Sequence, residues 1–357
     1  IMAPTEILAQ QHAHSLIPLC DALGLNATIL TGRHKGTARA DILANIANGS
    51  AQIVIGTHAL FQDDVTFHDL GAAVIDEQHR FGVHQRLALS QKGAMVDLLV
   101  MTATPIPRTL TLTAYGDLDV SKLDEKPPGR KPVDTRLIPL PRLFELTQAL
   151  EKQVANGVQV YWVCPLVEES EILDLSAAED RYAALSEKFG PQVGLMHGRM
   201  KPDQKDAVMQ SFARGDIKIL VATTVIEVGV NVPNATVMVI EHAERFGLAQ
   251  LHQLRGRVGR GAAASYCFLV HTPNCGLTAR DRLKTMRETE DGFVIAERDL
   301  TLRGPGDILG AQQSGIPMMR LADLSAHADL LDIARDDARL FIEKDSRLTT
   351  ERGQALR

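Results

Sequence analysis

Two adjacent carboxylates, Asp76 and Glu77, follow directly on the apolar run Ala72-Ala73-Val74-Ile75. A single acid at a strand end is an ordinary cap or turn residue. Two in succession bring two anions together and call for a counter-cation or a chemical task. A Mg2+ ion carried by nucleotide phosphates meets the first need, because it takes one or two carboxylates and keeps several of its waters. The second acid can then orient an attacking water towards a terminal phosphorus. On these two residues alone the structural role stays open beside the chemical one.

A second group lies in QLRGRVGR, residues 253–260. Arg257 and Arg260 are three residues apart and would share a face if the stretch is helical. Guanidinium forks suit phosphate because they are planar and always charged. Arginines supplied from across a cleft can also stabilise charge on a transferring phosphoryl group. The competing reading is a solvent-exposed basic helix. Against it stand Gly256 and Gly259, each costing about 1 kcal/mol in a helix interior. Two further apolar runs end in small polar residues: MTATPIPRTL carries Thr102 and Thr104, and VATTVIEVGVNVP carries Thr223, Thr224, Gly229 and Asn231. Hydroxyls and a glycine at such places can serve a phosphate or relay a nucleotide-dependent change.

These groups need elements to hold them. AQIVIGT (51–57), GAAVIDE (71–77) and VDLLVMTAT (96–104) read as buried strands. Between the first two runs and the segment before them, TARADILANIANG (37–49) has helical spacing at Ile42, Leu43 and Ile46, with Gly49 as its stop. Strands alternating with helices predict a parallel sheet, whose ligands gather beyond the carboxyl ends of the strands. LDEKPPGRKPVDT (123–135) breaks the alternation and reads as a linker, excluded from helix and central strand by its prolines. The pattern then restarts. Leu143, Leu146, Leu150 and Val154 mark one helical face, VQVYWVCPLV a strand, KPDQKDAVMQSFARG (201–215) a helix with Pro202 in its first turn, and IKILVATT (217–224) another strand. After about residue 275 come a charged helix, a Gly/Pro-rich loop and an amphipathic helix over 321–343, too small together to be a domain and expected to pack on the second lobe.

The 357 residues are 45% hydrophobic and 23% charged, enough for two lobes with cores of their own. No run reaches the roughly 18–20 apolar residues of a membrane span, and no basic-then-apolar leader is present. IMAPTEILAQQ opens inside an apolar run and reads as a strand entered partway. Four cysteines without a CxxC pair fit a reducing, cytoplasmic setting. A net charge of −6 argues against a generally basic nucleic-acid binder, but Arg255–Arg287 holds seven basic residues and one acid, a local +6 that could meet a phosphate backbone.

In this order the residues resemble the superfamily two helicases and translocases: IDEQH matches the acidic box, TATP the coupling motif and QLRGRVGR the arginine-finger motif. MAPTEILAQQH, GTHALFQ, DEQHRFGVHQR, MTATPIPRTLTLTAYGDLDVS, DEKPPGRKPV and DGFVIAERDLTLRGPGDILGAQQSG narrow the likeness, over essentially the whole chain, to the RecG family of bacterial ATP-dependent DNA translocases, which remodel stalled forks and Holliday junctions. The transcription–repair coupling translocases share the LRGPG element, but favour a second Glu where this chain has Gln78 and carry a different linker. A DNA-binding remnant with a degenerate nucleotide site is the non-enzymatic alternative; the joint presence of the acidic box and both arginines speaks against it.

The resemblance implies an α/β fold of two RecA-like parallel-sheet lobes, over 1–123 and 136–275, joined by a linker at 124–135 and followed by a helical hairpin, loop and tail over 276–357. It implies ATP and Mg2+ as cofactors. Asp76 would hold Mg2+ through water, Glu77 would activate the hydrolytic water, and Gln253, Arg257 and Arg260 would reach the triphosphate, with Gly229 and Asn231 also at the nucleotide. Pro4, Thr5, Thr57, His58, Thr223 and Thr224 would lie along DNA. Thr102, Thr104, Arg282, Arg303 and Gln313 would couple nucleotide state to DNA movement, although the family usually has Arg where this chain has Gln312. Branched duplex DNA and single-stranded DNA-binding protein are the implied partners, of a monomer in the bacterial cytoplasm, associated with the nucleoid and not with a membrane. The chain contains no GxxxxGK[ST] and no Gly-Lys dipeptide. The phosphate cradle and the junction-binding domain are therefore expected upstream of Ile1, and the 357 residues are expected to be a fragment inactive alone.

Overall fold

The computed structural model describes residues 1–77, 81, 89, 91–103, 119–123, 125, 127–165, 171–223, 232–261, 263–303 and 328–356. In the first lobe, helix α1 (Glu6–Ala22) precedes strand β1 (Ala27–Leu30), and α2 (Gly36–Ala47) crosses to β2 (Ile53–Gly56), which pairs with β1 in parallel. Strand β3 (Ala72–Ile75) pairs in parallel with β4 (Asp97–Val100). The two pairs meet at Met2, which is fully buried and makes parallel bridges to both Gly56 and Ile75. The opening apolar run thus lies between β2 and β3. Thr5 starts α1 by accepting from the backbone N–H of Leu8 at 3.4 Å, with Glu6 in the first turn. Ile46 of α2 is buried in the lobe core, with Ile42 and Leu43 packed beside it, as the helical spacing predicts.

The second lobe is a six-stranded, wholly parallel sheet in the order β5 (Val133–Pro139), β10 (Ser265–His271), β9 (Ala235–Ile240), β6 (Gln159–Val163), β8 (Ile219–Ala222), β7 (Val193–Met196). Alternate residues feed opposite faces. Tyr161 and Val163 join a core with Met209, Phe212 and Leu251, while Val160 and Trp162 join a core with Leu146, Leu150 and Val154. These last three lie on one face of α3 (Leu143–Ala155). Helix α4 (Glu171–Phe189) covers that same face; α5 (Pro202–Arg214) begins at Pro202 and stops at Gly215, whose φ is +84°. Residues 133–135, read from sequence as linker, belong to β5. An edge strand tolerates Pro132 just before it and Pro139 as its last residue, where a central strand would not.

Helix α6 (Leu248–Arg255) lies against the sheet, and α7 (Leu277–Glu288) and α8 (Gly292–Arg303) pack beside it, sending Leu283, Met286 and Ile295 into the second-lobe core. The amphipathic helix expected over 321–343 is α9 (Ala328–Lys344), followed by α10 (Glu351–Leu356); residues 321–327 and the LRGPG loop from Gly304 onward lie outside the described residues. All four cysteines are free thiols, with Cys20, Cys164 and Cys267 buried. Among the described residues no helix is long and apolar enough to cross a membrane. The lobes also touch through Arg33, which donates to Glu6 of its own lobe and to Asp206 of α5, both at 2.7 Å.

Candidate active site

Beyond the carboxyl end of β3 the chain turns sharply. Asp76 is tied back by its N–H to the carbonyl of Met2 (2.9 Å), and its Oδ1 accepts the N–H of Glu77 (2.9 Å). Glu77 sits at φ +52°, in the left-handed region that a non-glycine residue enters only at a cost. That conformation swings its side chain towards the segment after β4, where the N–H of Ala103 donates to Glu77 Oε2 at 3.4 Å. The other oxygen of Asp76, Oδ2, lies 2.9 Å from Nε2 of His12 on α1.

The second lobe supplies the opposing charges. Gln253 is on α6, but Arg257 and Arg260 are not on a helix as their three-residue spacing suggested: α6 ends at Arg255, and the turn beyond it carries Gly259 at φ +73°. A side chain at 259 would come within 2.6 Å of Val133 Cγ2, so the glycine is needed both for its backbone and for its missing Cβ. Arg260 donates to the carbonyl of Gly256 at 3.2 Å.

Both groups line one interlobe cleft of about 660 Å3: Leu8 and Gln11 of α1, Asp76, Glu77 and Ala103 of the first lobe, His252, Gln253, Gly256, Arg257, Arg260 and Gly261 of the second, and Pro127–Arg130 of the connecting segment. Burial lowers the pKa of Arg260, as does the nearby Arg130; Tyr161 and Glu77 act the other way. The acid of one lobe therefore feels the guanidinium of the other. Burial also pushes His252 down to about 4, with Arg255 adding to the effect, so it is neutral near pH 7. Three arginines then face two carboxylates, an excess of positive charge suited to a polyanion.

The remaining candidates fall elsewhere. Pro4-Thr5 and Thr57-His58 leave the first-lobe sheet side by side, because Met2 pairs with Gly56 and the N–H of Ala3 donates to Gly56 at 2.9 Å. Among the described residues the buried Thr57 hydroxyl has no hydrogen-bond partner, whereas His58 is exposed. Thr102 lies just past β4, beside Ala103. Thr223 is buried at the end of β8. Arg282 of α7 donates to the carbonyl of Glu244 at 2.8 Å and does not line the cleft. Arg303 ends α8, but its side chain, like Thr104, Thr224, Gly229, Asn231 and Gln313, lies outside the described residues.

The +6 segment is not one patch. Arg255 is buried and donates to the carbonyls of Met286 and Thr289 (2.6 and 2.9 Å), stapling α6 to the end of α7, while Arg257 and Arg260 turn into the cleft. Contributors that sequence reading missed include His12, 64 residues from the Asp76 it touches, Gln11 beside it, His252 on α6, and Arg130, in a segment read as a linker. The PPGR order was the available signal for Arg130, since it spells a turn ending on a cation.

Three family models match the chain in series: DEAD/DEAH box helicase over residues 1–113, helicase conserved C-terminal domain over 142–262, and ATP-dependent DNA helicase RecG, domain 3, C-terminal, over 289–355. Two lobes of this kind around a shared cleft define a RecA-like helicase fold. The fold recurs in solved structures of low identity, among them the helicase MrfA bound to DNA and AMPPNP (17% identical, TM-score 0.61, covering 90% of this chain and 52% of that one).

The chain belongs to the RecG family. It is 49% identical to the RecG helicase of Pasteurella multocida over 98% of its length, and 53% identical to that of Escherichia coli K12 over 91%. A RecG structure bound to a three-way DNA junction matches 93% of this chain at 47% identity and a TM-score of 0.72, with 43% of that chain covered. The chain spans about half the length of the curated relatives it matches, 52% and 48% in these two cases.

Proposed function

We propose that the chain is the motor of an ATP-dependent double-stranded DNA translocase or helicase that remodels branched DNA, such as stalled replication forks and Holliday junctions. The observation that carries the reading is the cleft in which Asp76 and Glu77 of one lobe face Arg257 and Arg260 of the other. Among the described residues no group of three or more His, Cys, Asp or Glu side chains could hold a metal. Two carboxylates beside a cationic wall suit a Mg2+ that arrives with phosphates, which needs only one or two protein ligands.

Bound Mg2+-ATP would supply the electrophilic phosphorus and a metal that neutralises its charge. Asp76, fixed at both oxygens and by its own N–H, would hold that Mg2+ through water. Glu77, aimed by its left-handed backbone, orients the attacking water. Gln253, Arg257 and Arg260 bring positive charge and hydrogen bonds to the triphosphate from the second lobe, with Gly229 and Asn231 also assigned there. Nucleotide binding draws the lobes together, and hydrolysis releases them. Pro4, Thr5, Thr57, His58, Thr223 and Thr224 contact the DNA backbone. Thr102, Thr104, Arg282, Arg303 and Gln313 convert lobe closure into DNA movement. The protein works as a cytoplasmic, nucleoid-associated monomer, with single-stranded DNA-binding protein as a partner.

The full-length Glu77→Gln variant tests the reading: hydrolysis should be abolished while nucleotide binding is retained, and unchanged turnover removes Glu77 from its role. The 357 residues alone, without a GxxxxGK[ST] loop, should show negligible DNA-stimulated ATPase; robust turnover would contradict that.

A further inference from the structure

The connecting segment does more than join the lobes. Pro127-Pro128-Gly129-Arg130 forms a tight turn: the N–H of Arg130 donates to the carbonyl of Pro127 at 3.2 Å, and Gly129 has φ +81°. A left-handed glycine at the third position is what a type II turn requires, and a proline at the second is common in it. Such a turn has little freedom to lose, so the residue that ends it is presented in a set direction. That residue is Arg130. Its Nε donates to the carbonyl of Gly259 at 2.8 Å, docking the segment onto the loop that carries Arg257 and Arg260. Among the described residues its terminal nitrogens have no hydrogen-bond partner, and Arg130 lines the cleft.

Three guanidinium groups close together repel one another, an arrangement maintained at a cost unless an anion completes it. Arg130 and Arg260 are near enough that the charge of the first lowers the pKa of the second. The carboxylates opposite supply two negative charges, one fewer than the cations. A duplex backbone entering here would meet Asp76 and Glu77 and be repelled, whereas a nucleotide polyphosphate can bring its own divalent cation to them.

We propose that Arg130 of the connecting segment is a third cationic contact to the nucleotide polyphosphate, making that segment part of the binding site. The proposal rests on the nucleotide reading of the cleft given above and adds a residue to it. Because Arg130 grips the Gly259 carbonyl and faces the ligand at once, occupancy of the cleft is felt directly by the chain between the lobes.

The test uses the full-length protein with Arg130→Ala and Arg130→Lys, measuring the KM for ATP in DNA-stimulated hydrolysis and the affinity for a fluorescent ATP analogue. Affinity for branched DNA in the absence of nucleotide is measured in parallel, and circular dichroism reports folding. Arg130→Ala should raise the KM for ATP and weaken the analogue at least 10-fold, with DNA affinity unchanged. Arg130→Lys, which keeps the charge but not the Nε donor, should recover most of the loss. An unchanged KM in a folded Arg130→Ala protein would overturn the proposal while leaving the cleft reading intact. A lysine variant as defective as alanine would also overturn it, reducing Arg130 to a tether for the Gly259 loop. A loss of DNA affinity with ATP affinity intact would reassign Arg130 to DNA. If Arg257→Ala also left ATP affinity unchanged, the nucleotide reading of the cleft would itself fail.

Discussion

Replacing Gly259 with alanine should unsettle the second lobe by an amount that can be built up from two parts. The first is conformational: φ is +73°, where an L-residue other than glycine is disfavoured by about 1 kcal/mol. The second is steric, because the new Cβ would lie 2.6 Å from Val133 Cγ2. Val133 is buried at the start of β5, and its N–H is held by Glu290, so it has little room to step aside. Overpacking of this kind costs about 1–3 kcal/mol. Gly157 provides the control: its φ is +88° and an added Cβ would meet nothing within 4 Å, so Gly157→Ala carries the first part alone. Trp162 is the single tryptophan of the chain and is fully buried in β6, which makes its fluorescence a probe of this lobe. With a urea slope of about 2 kcal/mol/M, Gly157→Ala should lower the midpoint by roughly 0.5 M and Gly259→Ala by roughly 1–2 M. Equal midpoints for the two variants would refute the steric argument. An unchanged midpoint for both would refute the conformational one as well.

Arg255→Met should destabilise the same lobe by about 2–4 kcal/mol, since the carbonyls of Met286 and Thr289 lose their buried donor; Trp162 unfolding curves check this, and a shift below about 0.5 kcal/mol would contradict a structural role. Arg33→Ala should change interlobe distances, read by fluorescence transfer between labels on α2 and α5, at low salt only. Its bonds to Glu6 and Asp206 are half-exposed and screened by added ions, so an equal effect at about 1 M salt would argue against an electrostatic link. His252 ties stability to pH. Its folded pKa of about 4 lies below the ordinary 6.5, so the unfolded chain binds the extra proton between these values. Its contribution is complete above pH 6.5 and is lost as pH falls towards 4. The His252→Gln protein should show a shallower acid slope in that window than the parent, and identical slopes would exclude the residue as a source.

The parts of the site written in contiguous sequence were legible. An apolar run ending in Asp76-Glu77 placed the acids beyond a parallel strand, and the spacing of Leu146, Leu150 and Val154 gave the face of α3. Periodicity reports burial along an element, so it worked where burial was regular. It failed where a single backbone angle redirects the chain. The helix stops at Arg255, Arg257 lies in the turn that follows and Arg260 beyond the left-handed Gly259, so a helical wheel drawn through the two has no physical counterpart. The basic run from Arg255 shows a different limit: charge counts cannot distinguish a guanidinium spent on buried carbonyls, as Arg255 is, from one offered to a ligand. His12 and Arg130 depend on contacts 64 and 129 residues away in the chain, beyond the reach of any local pattern.

Residues 1–3 have a mechanical consequence. They share five backbone hydrogen bonds with the strands on either side: Ile1 with Val54 and Gly56, Ala3 with Gly56, and Met2 with Val74 and Asp76. A tensile load applied at residue 1 along the strand direction would strain all five in shear together instead of peeling them one by one. The last rung of that ladder is the amide of Asp76, so tension on this segment is delivered straight to the acid pair.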